Sequence, residues 1–193
     1  MKVSIIGGGV IGLCSAYFLQ KEGYEVTIIE RGDISDGCSF GNMGFISPSH
    51  FIPLANPGII SQGLKWMLSS TSPFYIKPRL NLDLIQWGYH FWKSATHKKV
   101  NQNSQPLHEI LQLSRRLIET LRDDVGNVFE MQEKGCLMMC KKQKTLDHEF
   151  VIADAGEMFG LKVERLDRAG VQALEPNVEV NVAGAVLFKD DCH

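Results

Sequence analysis

The stretch Lys2-Val-Ser-Ile-Ile-Gly-Gly-Gly-Val-Ile-Gly12 decides the fold. Lys2 to Ile6 is rich in β-branched residues and stops at glycine, which predicts a short buried strand. Val10 to Lys21 predicts a helix, with Leu13, Ala16, Tyr17 and then Leu19 or Gln20 spaced by three and four, and with Gly23 as its stop. Glu25 to Glu30 (EVTIIE) predicts a second buried strand. Two apolar strands around one helix make a right-handed βαβ unit. Between the first strand and the helix lies Gly7-x-Gly9-x-x-Gly12. Gly7 permits the tight turn, Gly9 lets backbone approach a pyrophosphate, and Gly12 lets the helix lie close to the strand. Val10 and Ile11 open the helix, whose free N–H groups and partial positive charge suit an anion. Glu30, at the end of the second strand, is placed to accept hydrogen bonds from an adenosine ribose, and its charge disfavours a 2′-phosphate. It does not separate FAD from NAD.

Beyond Arg31 the chain is loop-like to Pro57, rich in Gly, Ser, Asn and Pro. The loop Ser39-Phe-Gly-Asn-Met-Gly44 combines a hydroxyl, a side-chain amide and two glycines. Such a loop can bond a pyrophosphate and admit backbone amides to a flat ring; an ordinary Asn/Gly turn is the plain alternative.

The segment GGGVIGLCSAYFLQKEGYEVTIIER resembles the entry to the D-amino-acid oxidase superfamily of FAD-dependent oxidoreductases, and SFGNMGFISPSHFIPLANPG resembles its D-amino-acid dehydrogenase group. The LEP within Ala173 to Asn177 and Phe188-Lys-Asp-Asp191 also fit that group. The resemblance implies that Gly7, Gly9, Val10, Ile11 and Gly12 hold the FAD pyrophosphate. It implies that Glu30 and Arg31 hold the adenosine end, and that Ser39, Asn42 and Gly44 lie near the phosphates or the flavin. The implied reaction is oxidation of a D-amino acid, or a related imino acid, to an imine that hydrolyses to an oxo acid, with a quinone or other carrier as electron acceptor. Members of the group are longer, and the arginine that grips the substrate carboxylate lies in the part that this chain lacks. The chain therefore reads as an N-terminal fragment, completed by a missing C-terminal half or a complementing chain. Catalytic residues stay unassigned.

The expected fold class is α/β: a Rossmann-like FAD-binding βαβ unit in residues 1–58 and an incomplete α+β substrate or cap domain, with a helical insertion, in 59–193. Within the latter, helices are expected at 58–69, 81–93, 105–125 and 145–159, and strands at 135–140, 161–166 and 182–188. A Ser/Thr/Pro break follows the first helix. Asp167 suits an N-cap for a helix that ends before Pro176. Val3, Ile5, Ile28 and Ile29 are expected to be only partly covered at an open sheet edge, and the last strand to end at Phe188 without its neighbours.

Composition narrows the function. The 193 residues carry 20 basic and 22 acidic side chains, a formal net charge of −2, so no strong field recruits nucleic acid. Five cysteines with no C-x-x-C spacing argue against a disulfide framework or zinc site and for reduced thiols in the cytoplasm. Cys136 and Cys140 read as small apolar fillers on one strand face. The histidines show no metal-ligand spacing, and His50, which follows the flavin-side loop, is either a solvated loop residue or within reach of an active site. Glycines break the N-terminal apolar run, and no A-x-A site follows, against a cleaved signal. Trp66, Trp87, Tyr89, Phe91 and Trp92, followed by Lys93, His97, Lys98 and Lys99, make either a core or subunit face or a peripheral membrane contact on the inner face of the plasma membrane. A glycine or sarcosine oxidase, and a non-catalytic nucleotide-binding chain, are the alternatives.

Overall fold

The computed structural model describes residues 1–67 and 81–193, so the Ser/Thr/Pro break and the end of the helix expected at 58–69 lie outside the described residues. The chain forms two compact units, Met1–Phe45 and Ile46–His193. This division precedes the one at residue 58 that the sequence suggests. Ile46 belongs to the second unit because it exchanges both backbone hydrogen bonds with Cys192, at 2.8 and 3.0 Å.

The first unit is the βαβ motif. β1 (Lys2–Ile6) and β2 (Glu25–Ile29) pair in parallel, Lys2 with Glu25 through Ile6 with Ile29, and α1 (Val10–Lys21) crosses between them. Alternation along each strand leaves Val3, Ile5, Val26 and Ile28 half-buried and exposes Ile6 and Ile29. The partial cover expected of Val3, Ile5 and Ile28 is thus present, whereas Ile29, expected to share it, is exposed. Among the described residues, Gly8 is the only buried position of this unit.

The second unit contains α2 (Ile59–Met67), α3 (Leu82–Ser94), α4 (His97–Val125), β3 (Cys136–Cys140), α5 (Gln143–Met158), β4 (Val163–Asp167), α6 (Arg168–Leu174) and β5 (Gly184–Phe188). The three strands form an antiparallel sheet ordered β3-β5-β4. The expectation that β5 lacks neighbours is overturned, since β5 is central. Its sequence, Gly-Ala-Val-Leu-Phe, has an apolar residue facing each way and no charge, which suits a strand covered on both faces. On one face, Val186 and Phe188 pack with Ala153 of α5, with Met138, Phe150, Ile152 and Val163 around them. On the other, Ala185 packs with Val171 of α6 and with Val180. All five cysteines are free thiols, with Cys140 buried and Cys136 half-buried in β3.

Asp167 caps α6 as expected, its carboxylate accepting the Gly170 N–H at 2.8 Å. α4 starts earlier than the expected Gln105. Thr96 supplies the cap by accepting the Lys99 N–H, and Pro106 sits inside the helix. Proline suits a first turn, and here the helix absorbs the one backbone bond that proline cannot make. In α3, Leu82, Ile85, Tyr89 and Trp92 recur at three and four residues and are all more than half exposed. No helix among the described residues is long and apolar enough to cross a membrane.

Candidate functional site

The glycine turn of the first unit is built around two close approaches. Gly7 has a φ of +106°, and its N–H donates to Ile29 O at 2.9 Å, which ties the end of β1 to β2. A Cβ on Gly12 would lie 2.0 Å from Gly7 O, so α1 seats against the turn only with glycine there. Gly9 is the N-cap of α1 and supplies no side-chain cap, and the first turn holds no acidic residue. The positive end of α1 therefore meets no carboxylate of its own helix. The Val10 N–H donates to Ser39 Oγ at 3.0 Å, and a Cβ on Gly9 would lie 3.0 Å from that same oxygen. Ser39 Oγ thus holds the kind of position, against a helix-opening N–H, that a phosphate oxygen takes in a dinucleotide site.

Glu30 is fastened from the other side. Its carboxylate accepts from the N–H groups of Gly8 (2.6 Å), Arg31 (2.8 Å) and Gly32 (3.2 Å). These bonds, that from Gly8 foremost, hold its carboxyl below the usual range. An ionised carboxylate has about four lone-pair sites, so three backbone donors leave room for a hydroxyl donor.

The loop after β2 closes on Ser39. Asn42 donates its side-chain amide to Ser39 O and accepts the Gly44 N–H at 2.5 Å. Gly44 has a φ of +69°, a conformation that glycine adopts at little cost. The structure thus brings Gly7, Gly9, Val10, Gly12, Glu30 and Ser39 to one turn, with Asn42 and Gly44 attached through Ser39. Arg31 joins by its backbone N–H. The Ile11 side chain is 82% exposed, so what Ile11 brings to the turn is its backbone. Sequence reasoning passed over Gly8. Its Cβ would meet Ile34 Cγ1 at 3.1 Å and Glu30 Cβ at 3.4 Å, so the third glycine of the run lets Glu30 reach the turn.

The donor set fits a dinucleotide: an uncapped helix start, a hydroxyl beside it, and a carboxylate at the end of the second strand. Among the described residues, no group of three or more His, Cys, Asp and Glu is placed to hold a metal ion.

The second unit carries a separate polar cluster. Asp191 is fully buried and accepts both the N–H (3.0 Å) and the hydroxyl (2.6 Å) of Ser49. Ser49 Oγ lies 3.1 Å from His50 Nδ1. Burial pushes the Asp191 carboxyl up, and the two Ser49 donors pull it down. Of these residues the sequence reading singled out His50; Ser49 and Asp191 carried no spacing that links positions so far apart.

The DAO family model, "FAD dependent oxidoreductase", matches residues 2–193. A D-amino acid dehydrogenase of Granulibacter bethesdensis is 34% identical over 181 residues, covering 93% of this chain and 43% of that protein. One from Rhodopseudomonas palustris is 31% identical over 202 residues, covering 100% and 47%. The chain spans less than half the length of these curated relatives. Among solved structures, glycine oxidase from Geobacillus kaustophilus matches with a TM-score of 0.64 at 18% identity, covering 98% of this chain and 39% of that one. L-proline dehydrogenase from P. horikoshii matches with a TM-score of 0.59 at 17% identity, covering 99% and 37%. These likenesses speak to the fold. With its glycine turn, its Glu30 clamp and a family match along nearly its whole length, the chain belongs to the FAD dependent oxidoreductase (DAO) family.

Proposed function

We propose that this chain is the FAD-binding start, and part of the substrate domain, of a flavoprotein that oxidises a D-amino acid or a related imino acid. The observation that carries the reading is the junction of the uncapped α1 N-terminus, Ser39 Oγ and the tethered Glu30. The names of the most similar curated relatives supply the substrate class. The N–H groups of Val10 and Ile11 and the open face of Gly9 hold the pyrophosphate, with Gly7 and Gly12 shaping the turn. Ser39 Oγ turns from the Val10 N–H to a phosphate oxygen. Glu30 takes ribose hydroxyls, with Arg31 beside it, and Asn42 and Gly44 keep the Ser39 loop in shape. When bound, the flavin accepts a hydride from the substrate Cα. The protein aligns that Cα and excludes water from it.

The substrate carboxylate is held by residues outside this chain, in a C-terminal half or a complementing chain. The electrons pass to a quinone or other carrier, and the protein works in the cytoplasm. The exposed stripe Leu82, Ile85, Tyr89 and Trp92, with Lys93 in the last turn of α3 and Lys98 and Lys99 in the first turn of α4, supports a peripheral contact with the inner face of the plasma membrane.

The test is flavin absorbance of the purified protein joined to the remaining half of its reading frame, followed by turnover of D-amino acids with an artificial electron acceptor. Stoichiometric flavin and turnover with the acceptor but not with oxygen are expected. A colourless protein that dinucleotide does not stabilise would sink the reading, and turnover with oxygen alone would move it to the oxidases.

A further inference from the structure

A cavity of about 160 Å³ lies in the second unit, between the segment 49–52, α5 and the sheet. Its walls are apolar at Ile52, Met138, Ile152 and Phe188, and its polar groups are Ser49, His50 and Glu149. The cluster around Asp191 sets what those groups offer. The Ser49 hydroxyl donates to Asp191 Oδ2 at 2.6 Å, so its proton is committed. Its oxygen can then only accept from His50 Nδ1, 3.1 Å away. In the neutral ring that contact puts the proton on Nδ1 and leaves Nε2 with a lone pair to offer. Glu149 is half-buried, and among the described residues no donor bonds its carboxylate. Burial pushes its carboxyl up, and the neighbouring imidazoles of His148 and His50 pull it down only when protonated. The cavity therefore presents two acceptors, a spent hydroxyl and a hydrocarbon wall.

We propose that this cavity binds a small primary ammonium ion, with Glu149 and His50 Nε2 accepting its N–H groups and Ile52, Met138, Ile152 and Phe188 receiving its alkyl part. Three N–H donors and a positive charge answer two acceptors and an unpaired carboxylate. An anion of the same size meets neither. At roughly 30 Å³ per water, the space admits about five non-hydrogen atoms, the size of a short alkylamine. The inference rests on the second unit alone and is independent of how the glycine turn is read.

The experiment is calorimetric titration of the 193-residue chain with ethylammonium chloride, beside propionate and tetramethylammonium as probes that lack the charge or the N–H donors. Saturable binding of ethylammonium, and neither of the others, is expected. Glu149→Gln should weaken it roughly tenfold or more, as loss of a charged hydrogen bond does. His50→Gln, at an exposed loop position, should weaken it less, with far-UV circular dichroism confirming the fold of both variants. Absence of saturable ethylammonium binding overturns the proposal, and so does equal binding of propionate or tetramethylammonium. If Glu149→Gln does not fold, the comparison of the three probes on the native chain decides. Flavin content plays no part in this readout, so a failed flavin test leaves it standing and the reverse also holds.

Discussion

The backbone N–H of Gly8 donates to the Glu30 carboxylate across 2.6 Å, which fastens the end of β2 to the turn that follows β1. Glu30 thereby does two things at once. It holds the glycine turn in shape, and it presents the negative acceptor that the proposed function assigns to a ribose. Its side chain reaches Gly8 because the glycine lacks the Cβ that would crowd Ile34 and Glu30 itself.

Replacing Glu30 with Gln keeps the shape and removes the charge. One amide oxygen can accept from only part of the trio Gly8, Arg31 and Gly32, so flavin affinity should fall roughly tenfold. Flavin retention of the full-length protein through gel filtration, followed by equilibrium dialysis, measures it. Affinity within twofold of the native protein would show that Glu30 is not a ribose acceptor.

Gly12→Ala should stop α1 from seating, because the added methyl would meet Gly7 O at 2.0 Å. The clash is with backbone, which no rotamer relieves. Limited proteolysis should then cleave within residues 1–45 faster than in the native chain, while the sheet of the second unit stays protected. Equal cleavage rates in the first unit would contradict this packing.

The pH dependence of the second unit follows from Asp191. Its carboxyl is raised by burial, so the folded state binds the proton more tightly than the unfolded chain does. That contribution is fully present below the ordinary aspartate value of about 3.9 and is lost as pH rises through the raised value. Glu149, also raised by burial, adds with the same sign. Glu30, in the first unit, has the opposite sign, since its lowered carboxyl contributes above the ordinary glutamate value and loses that as pH falls. Asp191→Asn should flatten the stability profile of the second unit as pH rises above about 4. Urea titrations followed by tryptophan fluorescence at several pH values test it, and an unchanged slope would remove Asp191 from the account.

Gly184→Ala places a methyl 2.6 Å from Leu166 O and 2.8 Å from Leu146 Cδ2, at the start of the central strand. Overpacking of this kind costs about 1–3 kcal/mol. Thermal denaturation should report a fall of a few degrees in Tm. A Tm at or above the native value would mean that β4 yields there more easily than its packing suggests.

Local pattern carried the βαβ motif because every instruction in it is local. The strand residues, the three spaced glycines and Gly23 lie within one short run, and each acts on its near neighbours. The same holds for the Asp167 cap. The placement of β5 was not legible. Gly184 to Phe188 reads as a strand, yet pairing it with both β3 and β4 depends on which edges survive to meet it, and no short-range spacing records that. The start of α4 was not legible either, since Thr96 caps it well upstream of the apolar run and the helix continues through Pro106. The Ser49–Asp191 bond joins residues from opposite ends of the second unit. A buried serine beside a histidine gives no sign in sequence of which carboxylate it will meet.

The central position of β5 has a consequence for how the second unit is made. A ribosome releases β3 first, then α5, β4 and α6, and only afterwards the strand that both edges need. Until Phe188 emerges, the apolar faces of α5 and α6 have no sheet to cover, and β3 and β4 expose unpaired backbone. Folding of this unit is therefore not vectorial: β3 and β4 wait on β5, and the 46–51 segment then closes over it through Cys192 and Asp191. Synthesis halted anywhere before Gly184 yields a chain with its helices and no core, the form in which chaperones would meet it.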